Sequence, residues 1–355
     1  MPSISLTSVS NYVLKDVSFT VRDGEFMVLL GHNGAGKSTL LNIIAGLIPY
    51  QGSVRFDDSP VDDISTEKRN VGYLSQDLAL FPHMKVRANI GYGLRMRPDR
   101  KRSKIDDKVD ALLEMMNIRH LGDRYPRDLS GGEKQRVALA RAMAIDPKVL
   151  LMDEPLNSLD LMSAKYLRTE IRHLQKKLRA TTLFVTHSLD EASEIADRIA
   201  VMDNGEILQV GTPDEIIFSP AEVRVRNFIG EPNIFECRSS RILENGLAVS
   251  RCGRLEIISP YEGTPIHKIA IQPEHVYVST IAPAGPHINR FQGVVREIKH
   301  YPSMVRLTIE VAGQPILAQL PKRLSRMQAF TEGSEVYLIL KLRWLQVLNS
   351  GAQWH

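Results

Sequence analysis

The run GHNGAGKST at residues 31–39 constrains this chain more than any other stretch, because it fits the phosphate-binding template G-x-x-x-x-G-K-[ST] with an additional glycine at Gly34. An apolar, strand-like run, EFMVLL, occupies residues 25–30, and LLNIIA at 40–45 continues as a buried helix. Glycines let backbone N–H groups turn toward phosphate oxygens, and the positive end of the following helix points at the same anion. The sequence therefore predicts a nucleotide site; a glycine-rich turn between a strand and a helix is the ordinary alternative.

Individual residues of this loop have predicted tasks. We expect Lys37 to reach the β- and γ-phosphates and Ser38 to place its hydroxyl on Mg²⁺. The residues predicted to bind the nucleotide are Gly31, His32, Asn33, Gly34, Ala35, Gly36, Lys37, Ser38 and Thr39. Loops of this type serve ATPases, GTPases and kinases, so the loop alone leaves the reaction open.

Length and composition are those of an ordinary globular protein with more than one domain. The chain has 355 residues, of which 43% are hydrophobic and 24% charged, and its formal net charge is +4. No apolar run approaches the roughly 18 to 20 residues that span a bilayer, and the first residues, MPSISL, lack the regions of a secretory signal. We therefore expect the chain to remain in the cytoplasm. Cys237 and Cys252 form no C-x-x-C pattern and are assigned no function.

A cluster of basic side chains is the feature that could suggest a nucleic-acid partner. It lies at residues 95–104 and contains Arg95, Arg97, Arg100, Lys101, Arg102 and Lys104. No aromatic residues are interleaved with these side chains, and Asp106 and Asp107 follow them. We interpret the cluster as a polar loop and helix start, and we predict no nucleic-acid partner.

Two different hydrophobic patterns along the sequence predict two kinds of domain. Continuous apolar runs, such as residues 149–152, alternate with helical patterns as far as about residue 205, which predicts a phosphate-loop α/β domain with a mostly parallel sheet. After residue 220, short alternating segments broken by Gly and Pro predict a small all-β domain. The predicted domains are residues 1–230, with a helical subdomain at about 80–145, and residues 231–355.

Two further motifs suggest how a bound nucleotide could react. Asp153 and Glu154 close the apolar strand VLLM, where one carboxylate can bind Mg²⁺ and its neighbour can polarise a water. The run LSGGE at 129–133 precedes a helical pattern, so Ser130 and the amides after it can form a second anion site. Taken separately, an acidic pair after a strand is a common turn, and Ser-Gly-Gly-Glu is a helix start.

In their order along the chain, these motifs resemble those of the ATP-binding subunit of ABC transporters, whose signature is LSGGE. The resemblance implies that Asp153 holds Mg²⁺ and that Glu154 is the catalytic base. It also implies that Ser130, Gly131 and Gly132 face the γ-phosphate bound by the opposite subunit. ATP would then be sandwiched between two copies of the chain.

Three more stretches match motifs of that family. Gln76 matches the glutamine that contacts Mg²⁺ and water and senses the membrane partner. His187 matches the switch histidine that contacts the γ-phosphate, although an isolated histidine at a strand end is more often a surface or capping residue. Ser158 and Asp160 match the loop that crosses the dimer interface, and Asn157 stands where a serine is common.

The adenine site departs from the family pattern. Members of the family stack the base on an aromatic residue in an N-terminal loop, and that loop, residues 8–13, is short here. Tyr12 is the nearest candidate for stacking, and a place at a strand edge is the alternative. The prediction of phosphate binding is the same whether Tyr12 stacks on adenine or lies at a strand edge.

The remaining features resemble one importer subclass, which handles molybdate, sulfate, sugars, iron or polyamines. FPHMKV at 81–86, LNSLD at 156–160 and the added β-domain carry this similarity. The C-terminal segment looks like the small fold called TOBE: IQPEHV at 271–276 is similar to its I-R-P-E-x-[IV], with Gln272 in place of the arginine. The stretch from residue 289 to 341 looks closest to molybdate and tungstate importers.

An oxyanion sensor in that domain would need hydroxyls, amides and cations that converge on a tetrahedral anion. Asn289 and Lys341 match residues that supply them in oxyanion-binding relatives. Ile288, however, replaces an arginine, and Pro321 and Leu324 fall at the hydroxyl positions. These departures argue against feedback binding of an oxyanion.

The resemblance implies an ATP-hydrolysing subunit that energises import, with molybdate or tungstate as cargo and with sulfate, sugar, iron or polyamine as alternatives. ATP and Mg²⁺ are the implied cofactors. The implied partners are a second copy of the chain, two integral membrane permease subunits and, indirectly, an extracytoplasmic solute-binding protein. The implied location is peripheral, on the cytoplasmic face of the inner membrane. The competing hypotheses are a soluble ABC-type ATPase of DNA repair or translation, for which tandem cassettes or a coiled-coil insertion are lacking, and a regulatory binding module.

Overall fold

The chain divides into two structural units, Met1–Ile216 and Ile217–His355, and each is described by itself. The computed structural model describes residues 2–96, 102–157, 159–243, 246–261, 263–301, 304–323, 325 and 330–348. Ser158, Leu324 and part of the basic cluster at 95–104 lie outside these residues. The domain boundary after residue 230 remains a prediction.

The first unit alternates strands with helices, as the apolar runs and helical patterns predict. Its strands are β1 (Ile4–Ser10), β2 (Val17–Val21), β3 (Phe26–Leu30), β4 (Gln51–Phe56), β5 (Ser59–Pro60), β6 (Val71–Leu74), β7 (Val149–Asp153), β8 (Thr181–Thr186), β9 (Arg198–Asp203) and β10 (Glu206–Gly211). Its helices are α1 (Lys37–Ala45), α2 (Val86–Arg95), α3 (Arg102–Met115), α4 (Gly131–Ala144), α5 (Leu161–Leu178) and α6 (Leu189–Ile195). The next helix, α7 (Pro213–Phe218), spans the division between the units.

A six-stranded sheet in the order β10-β9-β3-β8-β7-β6 forms the centre of this unit. Neighbours from β9 to β6 run parallel, and β10 pairs antiparallel at one edge. Every residue of β3, β7 and β8 is buried, as continuous apolar runs in a parallel sheet covered on both faces require. Because parallel strands end at the same edge, the residues that follow β3, β6, β7 and β8 are gathered there.

A smaller antiparallel sheet, in the order β2-β1-β4-β5, shares its hydrophobic core with the central sheet. The helix α1 contributes fully buried side chains to this core, namely Leu40, Leu41, Ile43 and Ile44. Arg69 donates to the carbonyls of Ile43 and Ile44, each at 3.0 Å. The helix that follows the phosphate loop is therefore fixed by its buried face and at its C-terminal end.

The helices α2, α3 and α4 pack against one another, and α4 also contacts β6 of the central sheet. Ser130 caps α4: its Oγ accepts the Glu133 N–H at 3.4 Å, while the Glu133 carboxylate accepts the Ser130 N–H at 2.7 Å. This capping box satisfies backbone donors at the first turn of the helix, which is the local reason that α4 begins at Gly131.

The second unit begins with the helix α8 (Val223–Ile229) and continues as antiparallel strands. These strands are β11 (Asn233–Glu236), β12 (Ser239–Ile242), β13 (Leu247–Cys252), β14 (Leu255–Pro260), β15 (Lys268–Ile271), β16 (Val276–Ser279), β17 (Arg290–His300), β18 (Met304–Val311), β19 (Gln314–Pro321), β20 (Glu335–Leu340) and β21 (Gln346–Leu348). They form sheets in the orders β11-β15-β21, β12-β13-β14 and β16-β20-β17-β18-β19, so the prediction of a C-terminal all-β domain is confirmed. Within the described residues, no helix combines the length and apolar character that a membrane span requires.

The strands of the second unit enclose one hydrophobic core, which brings its two cysteines together. Cys252 is buried in that core and Cys237 packs against it, and the interaction between the two thiols lowers the pKa of Cys237 and raises that of Cys252. A backbone hydrogen bond explains why the cysteines lie close together. The Arg238 N–H donates to the Arg251 carbonyl at 2.9 Å, and these residues are the chain neighbours of Cys237 and Cys252. The spacing of the cysteines along the sequence gives no sign of this contact.

Candidate active site

The phosphate loop leaves β3 at Leu30 and enters α1 at Lys37. Gly36, at the N-cap of the helix, has a φ of 102°, in the left-handed region that favours glycine. Gly31 is constrained differently: a Cβ atom there would lie 2.2 Å from the Met202 carbonyl oxygen, so the neighbouring backbone excludes a larger residue. The loop thus presents the N-terminus of α1, the arrangement that binds phosphate groups.

Lys37 is buried and is engaged by its own loop. Its Nζ donates to the carbonyl oxygens of Gly31 at 2.8 Å and His32 at 2.9 Å, and it lies 3.8 Å from Oε1 of Glu154. Burial lowers the pKa of Lys37, while the nearby carboxylates of Glu154 and Asp153 raise it in part. The cation predicted to reach the phosphates is therefore already at the loop and beside the acidic pair.

The sheet register brings the predicted catalytic residues to one edge. Leu30 pairs with Thr186, so the phosphate loop and His187 leave adjacent strands at the same level. In the same way, β8 pairs with β7, which ends at Asp153, and β7 pairs with β6, after which Gln76 follows. The structure therefore gathers the loop, the acidic pair, His187 and Gln76 at the carboxyl ends of four neighbouring strands.

Asp153 has the environment of a metal ligand. It is 4% exposed, and its Oδ1 has no hydrogen-bond partner among the described residues. Burial raises the pKa of Asp153, an effect that the Ser38 hydrogen bond and Lys37 oppose. An unpaired carboxylate oxygen beside a hydroxyl is a donor set that fits Mg²⁺.

The Glu154 carboxylate faces several polar groups at once. Its Oε1 lies 3.8 Å from Nζ of Lys37 and 3.7 Å from Nδ1 of His187. Its Oε2 accepts a hydrogen bond from Nδ2 of Asn157. The backbone of Glu154 has a φ of 45°, and its N–H donates to the Val185 carbonyl of β8 at 3.1 Å. The side chain is only 11% exposed, so it is held between the strand ends rather than in open solvent.

Gln76 lies beyond β6, with an exposed side chain, at the start of a strained turn. Leu78 and Ala79, the residues that shape this turn, have positive φ values of 61° and 41°. Arg141 of α4 holds the turn by donating to the Leu78 carbonyl at 2.7 Å and the Ala79 carbonyl at 2.6 Å. Sequence reasoning assigned no role to Arg141; a charged residue on the apolar side of a helix is the signal that could have found it.

The buried amide of Asn89 holds the segment that follows this turn. Its Oδ1 accepts the Phe81 N–H at 2.9 Å, and its Nδ2 donates to the carbonyls of Phe81 at 3.1 Å and Met84 at 2.9 Å. The guanidinium of Arg141 also lies 5.4 Å from the centroid of the Phe81 ring. The Gln76 segment is thus tied to α2 through Asn89 and to the signature helix α4 through Arg141.

The signature residues lie at the start of α4 rather than beside Lys37 in the described contacts. Ser130 and Gly132 line a cavity of about 410 Å³ whose other walls come from α4, α5 and the turn before α5. Gly131 is the first residue of the helix. Within one chain, the structure therefore brings together the phosphate loop, acidic pair and histidine, and it leaves the signature as a separate helix N-terminus.

Two further predicted residues lie in turns. Tyr12 is 85% exposed in the connection between β1 and β2, where Asn11 Oδ1 accepts the Val13 and Leu14 N–H groups at 2.8 Å. Tyr12 therefore does not belong to a strand, and adenine stacking stays a prediction. Asp160 caps α5, and the hydrogen bonds that it accepts from Ser163 lower its pKa. Its predicted role in a dimer interface also remains a prediction.

In the second unit, Asn289 is used by the fold. Its Oδ1 accepts the Ile258 N–H and its Nδ2 donates to the Ile258 carbonyl, both at 2.7 Å. The side chain is 4% exposed. Lys341 lies 5.8 Å from the centroid of the Tyr277 ring. The amide matched to an oxyanion ligand is therefore already paired with a strand backbone, which agrees with the departures noted in the sequence.

A phosphate loop, an acidic pair and a histidine at the ends of adjacent parallel strands define a phosphate-loop ATPase. The sequence matches the ABC transporter family over residues 14–157 and the TOBE domain family over residues 269–348. It is 38% identical to a molybdate/tungstate import ATP-binding protein of Pyrococcus abyssi, over 95% of this chain and 96% of that protein. The chain belongs to the ABC transporter family, as an import ATP-binding subunit with a C-terminal TOBE domain.

Other relatives agree on the family and differ in cargo. A sulfate/thiosulfate import ATP-binding protein of Thermosynechococcus vestitus is 38% identical, over 90% of this chain and 89% of that protein. Among solved structures, the dimeric ABC transporter cassette MJ0796 has a TM-score of 0.55 and 28% identity, covering 59% of this chain and 98% of that one. The cassette cbiO1 of Clostridium perfringens has a TM-score of 0.56 and 30% identity, covering 63% and 94%. The chain is therefore an ATPase that takes ATP, with Mg²⁺ as the usual partner ion.

Proposed function

We propose that this ATPase powers the import of an oxyanion, with molybdate or tungstate as the leading cargo. The observation that carries the ATP-hydrolysing part of the proposal is the meeting of Lys37, Glu154 and His187 at one sheet edge. The cargo rests on the relative from Pyrococcus abyssi, a molybdate/tungstate import protein that aligns with 95% of this chain. Sulfate or thiosulfate is the second candidate, because several relatives of comparable identity are sulfate/thiosulfate import proteins.

In the proposed reaction, Glu154 orients the water that attacks the γ-phosphorus and accepts a proton from it. The bond from that phosphorus to the β,γ-bridging oxygen breaks, and its electron pair leaves with ADP, so the products are ADP and inorganic phosphate. Lys37 neutralises charge on the β- and γ-phosphates, and His187 contacts the γ-phosphate. Asp153, Ser38 and Gln76 hold Mg²⁺, which supplies further neutralisation of phosphate charge when it is bound. Tyr12 stacks on the adenine. Two distances support these roles: His187 Nδ1 lies 3.7 Å and Lys37 Nζ lies 3.8 Å from the Glu154 carboxylate. The Asp153 Oδ1, which has no hydrogen-bond partner among the described residues, supports the metal site.

The proposed working unit contains two copies of the chain. Each copy closes the nucleotide site of the other with its signature, and Ser158 and Asp160 cross the interface between them. The open cavity beside Ser130 and the dimeric assembly of the related cassette MJ0796 support this arrangement. Closure on ATP and reopening after hydrolysis would drive two integral membrane permease subunits. The dimer would sit peripherally on the cytoplasmic face of the membrane, with solute delivered by an extracytoplasmic binding protein.

Turnover of ATP by a Glu154→Gln variant tests the catalytic assignment. The substitution keeps the size of the side chain and removes its charge, so we expect hydrolysis to fall by about 10² to 10⁴-fold, the contribution of a positioned base. ATP binding should persist, and the ATP-bound dimer should accumulate in size-exclusion chromatography. Glu206→Gln, on the edge strand β10, is the matched control and should turn over normally. Unchanged hydrolysis in the Glu154 variant would show that another group acts as the base.

The cargo is tested in the assembled transporter. The chain would be purified with its permease subunits in lipid vesicles, and ATP turnover would be measured with the binding protein loaded with molybdate, tungstate or sulfate in turn. Stimulation by molybdate or tungstate supports the leading proposal. Stimulation by sulfate alone would establish the second candidate, and stimulation by none of the three would refute oxyanion import while leaving the ATPase assignment intact.

A further inference from the structure

We propose that Asn157 is a positioning residue that holds the Glu154 carboxylate for hydrolysis. The Asn157 Nδ2 donates to Oε2 of Glu154. The Asn157 backbone N–H also donates to the Glu154 carbonyl, at 3.4 Å. The two residues therefore close one turn through both backbone and side chain. The inference rests on the proposed role of Glu154 and adds a residue that acts through it.

The partners of the Glu154 carboxylate divide between its two oxygens. Oε1 faces Lys37 and His187, at 3.8 Å and 3.7 Å, whereas Oε2 faces Asn157. Lys37 and His187 are both proposed to contact the phosphates of ATP, so their cationic or polar groups are shared with the substrate. Asn157 has no such second task in the proposed reaction. Its amide is therefore the contact that can stay on Glu154 while nucleotide is bound.

The chemistry of an amide suits this task. An amide N–H is a neutral donor, so it fixes one carboxylate oxygen without adding a cation beside the phosphate charge. A serine, the residue common at this position in the family that the sequence resembles, has a side chain one atom shorter, so its hydroxyl reaches less far. The contact with Asn157 restricts the rotamers of the Glu154 side chain in the folded protein. The entropy cost of ordering this side chain is therefore not added to the barrier when Glu154 orients the water. Asn157 therefore supplies reach and orientation without charge.

The local backbone makes such a contact useful. Glu154 adopts a φ of 45°, a left-handed conformation that is unfavourable for a residue other than glycine. One backbone contact, from its N–H to the Val185 carbonyl at 3.1 Å, fixes the residue to β8. The side chain beyond the Cα atom is held by the Asn157 contact and by the two approaches to Oε1. Removing the amide leaves Oε2 without its donor.

A role of Asn157 in the dimer interface is the alternative that the experiment must separate from positioning. Its side chain is exposed, and it immediately precedes the loop proposed to cross the dimer interface. An interface residue would act on dimer formation, whereas a positioning residue would act on the chemical step. Asn157→Ala, Asn157→Asp and Asn157→Ser distinguish the two, because each alters the donor and leaves the backbone turn in place.

Steady-state ATP hydrolysis by the full-length chain is the first measurement. For Asn157→Ala we expect kcat to fall by about 10- to 100-fold, the loss that a misplaced catalytic group produces. The KM for ATP should stay within about twofold, because the lost interaction acts on the chemical step. Asn157→Asp, of equal size but without a donor, should fall at least as far, and Asn157→Ser should recover part of the loss. An unchanged kcat in Asn157→Ala, with an unchanged thermal unfolding midpoint, would overturn the proposal.

A double-mutant cycle then tests whether Asn157 acts through Glu154. In a Glu154→Ala background there is no carboxylate to hold, so adding Asn157→Ala should leave the residual single-turnover rate unchanged. An equal fractional loss in both backgrounds would overturn the proposal. If Glu154→Ala itself kept full turnover, the proposed base would be wrong, a failure visible before Asn157 is altered.

Dimer formation supplies a readout that does not depend on turnover. On a Glu154→Gln background, ATP should drive dimerisation to the same extent with or without Asn157→Ala, measured by size-exclusion chromatography with light scattering. Loss of the ATP-dependent dimer on adding Asn157→Ala would assign the residue to the interface instead and would overturn the positioning role.

Discussion

The contacts of Arg141 predict that this residue keeps the turn after Gln76 closed. Its guanidinium donates to the carbonyls of Leu78 and Ala79, and both of these residues hold positive φ angles. Replacing Arg141 by alanine removes both donors and leaves the strained turn without its partner from α4. We expect the turn to open locally while the hydrophobic core of the first unit stays folded.

The size of this effect follows from the two contacts. A hydrogen bond from a charged donor contributes about 1.5 to 3 kcal/mol, and both carbonyls lie close enough to the surface to find water when the arginine is lost. Taking the lower value for each gives about 3 kcal/mol. Since 1.4 kcal/mol is a factor of ten in an equilibrium constant, the open population should rise about 100-fold. Arg141→Lys keeps the charge but loses the planar fork, so its effect should be smaller.

Hydrogen exchange measures that population directly. The Leu78 N–H donates to the Ser75 carbonyl at 2.9 Å, and it exchanges only when the turn opens. Peptides that cover Leu78 should therefore exchange about 100-fold faster in Arg141→Ala. Arg136→Ala is the matched control on the same helix, since Arg136 donates to the Met116 carbonyl at 3.1 Å.

Two results would refute this reasoning. Unchanged exchange at Leu78 in Arg141→Ala would mean that the turn does not depend on the arginine. Equal acceleration throughout α4 would mean that the helix itself is destabilised and that no local opening occurs. A slower ATP turnover that accompanies local opening would connect the contact to the placement of Gln76.

Three further predictions concern single positions. Gly31→Ala should weaken ATP binding by at least about tenfold, measured by fluorescence titration, because its Cβ would meet the neighbouring carbonyl at 2.2 Å and displace the loop; unchanged affinity would show that the loop can shift freely. Cys237 should be alkylated before Cys252, as peptide mass spectrometry can show, because the contact between the thiols lowers the pKa of Cys237 and raises that of Cys252; the reverse order would contradict this. Burial and a hydrogen bond to Asp62 raise the pKa of Tyr50 from 10.0 to about 12, so the stabilising effect of the protonated phenol is present below pH 10 and is lost as the pH rises to about 12. Urea unfolding across that range should show the loss, and Tyr50→Phe should lack this component.

The sequence predicts those parts of the molecule that depend on local pattern. The phosphate loop, the buried strand before Asp153 and the capped start of α4 each need only a few consecutive residues, so their residue types reveal them. Their meeting at one edge also follows, because parallel strands deliver their carboxyl ends together. The α/β core and the C-terminal all-β domain were predictable for the same reason.

What the sequence does not reveal depends on partners distant along the chain. Arg141 contacts carbonyls about 62 residues away, and the Asn289 amide pairs with a strand 31 residues before it. Such contacts are set by tertiary packing and leave no periodicity or spacing to read. The Asn157 contact is local, yet it required the conformation of Glu154, whose positive φ no residue type announces. Side chains that hold backbone or other side chains in place are therefore found only once the fold is known.

The position of Lys37 has a consequence for how strongly the protein can respond to its nucleotide. Because the ammonium group of Lys37 bonds to the carbonyls of Gly31 and His32, the loop's own backbone holds the lysine in place. When a binding loop is already ordered, little of the free energy of ATP binding is used to order it. The free energy of the contacts with the γ-phosphate can then be coupled to a conformational change elsewhere in the protein. Such coupling is required of a protein that moves a partner, and it is not required of one that only retains a ligand.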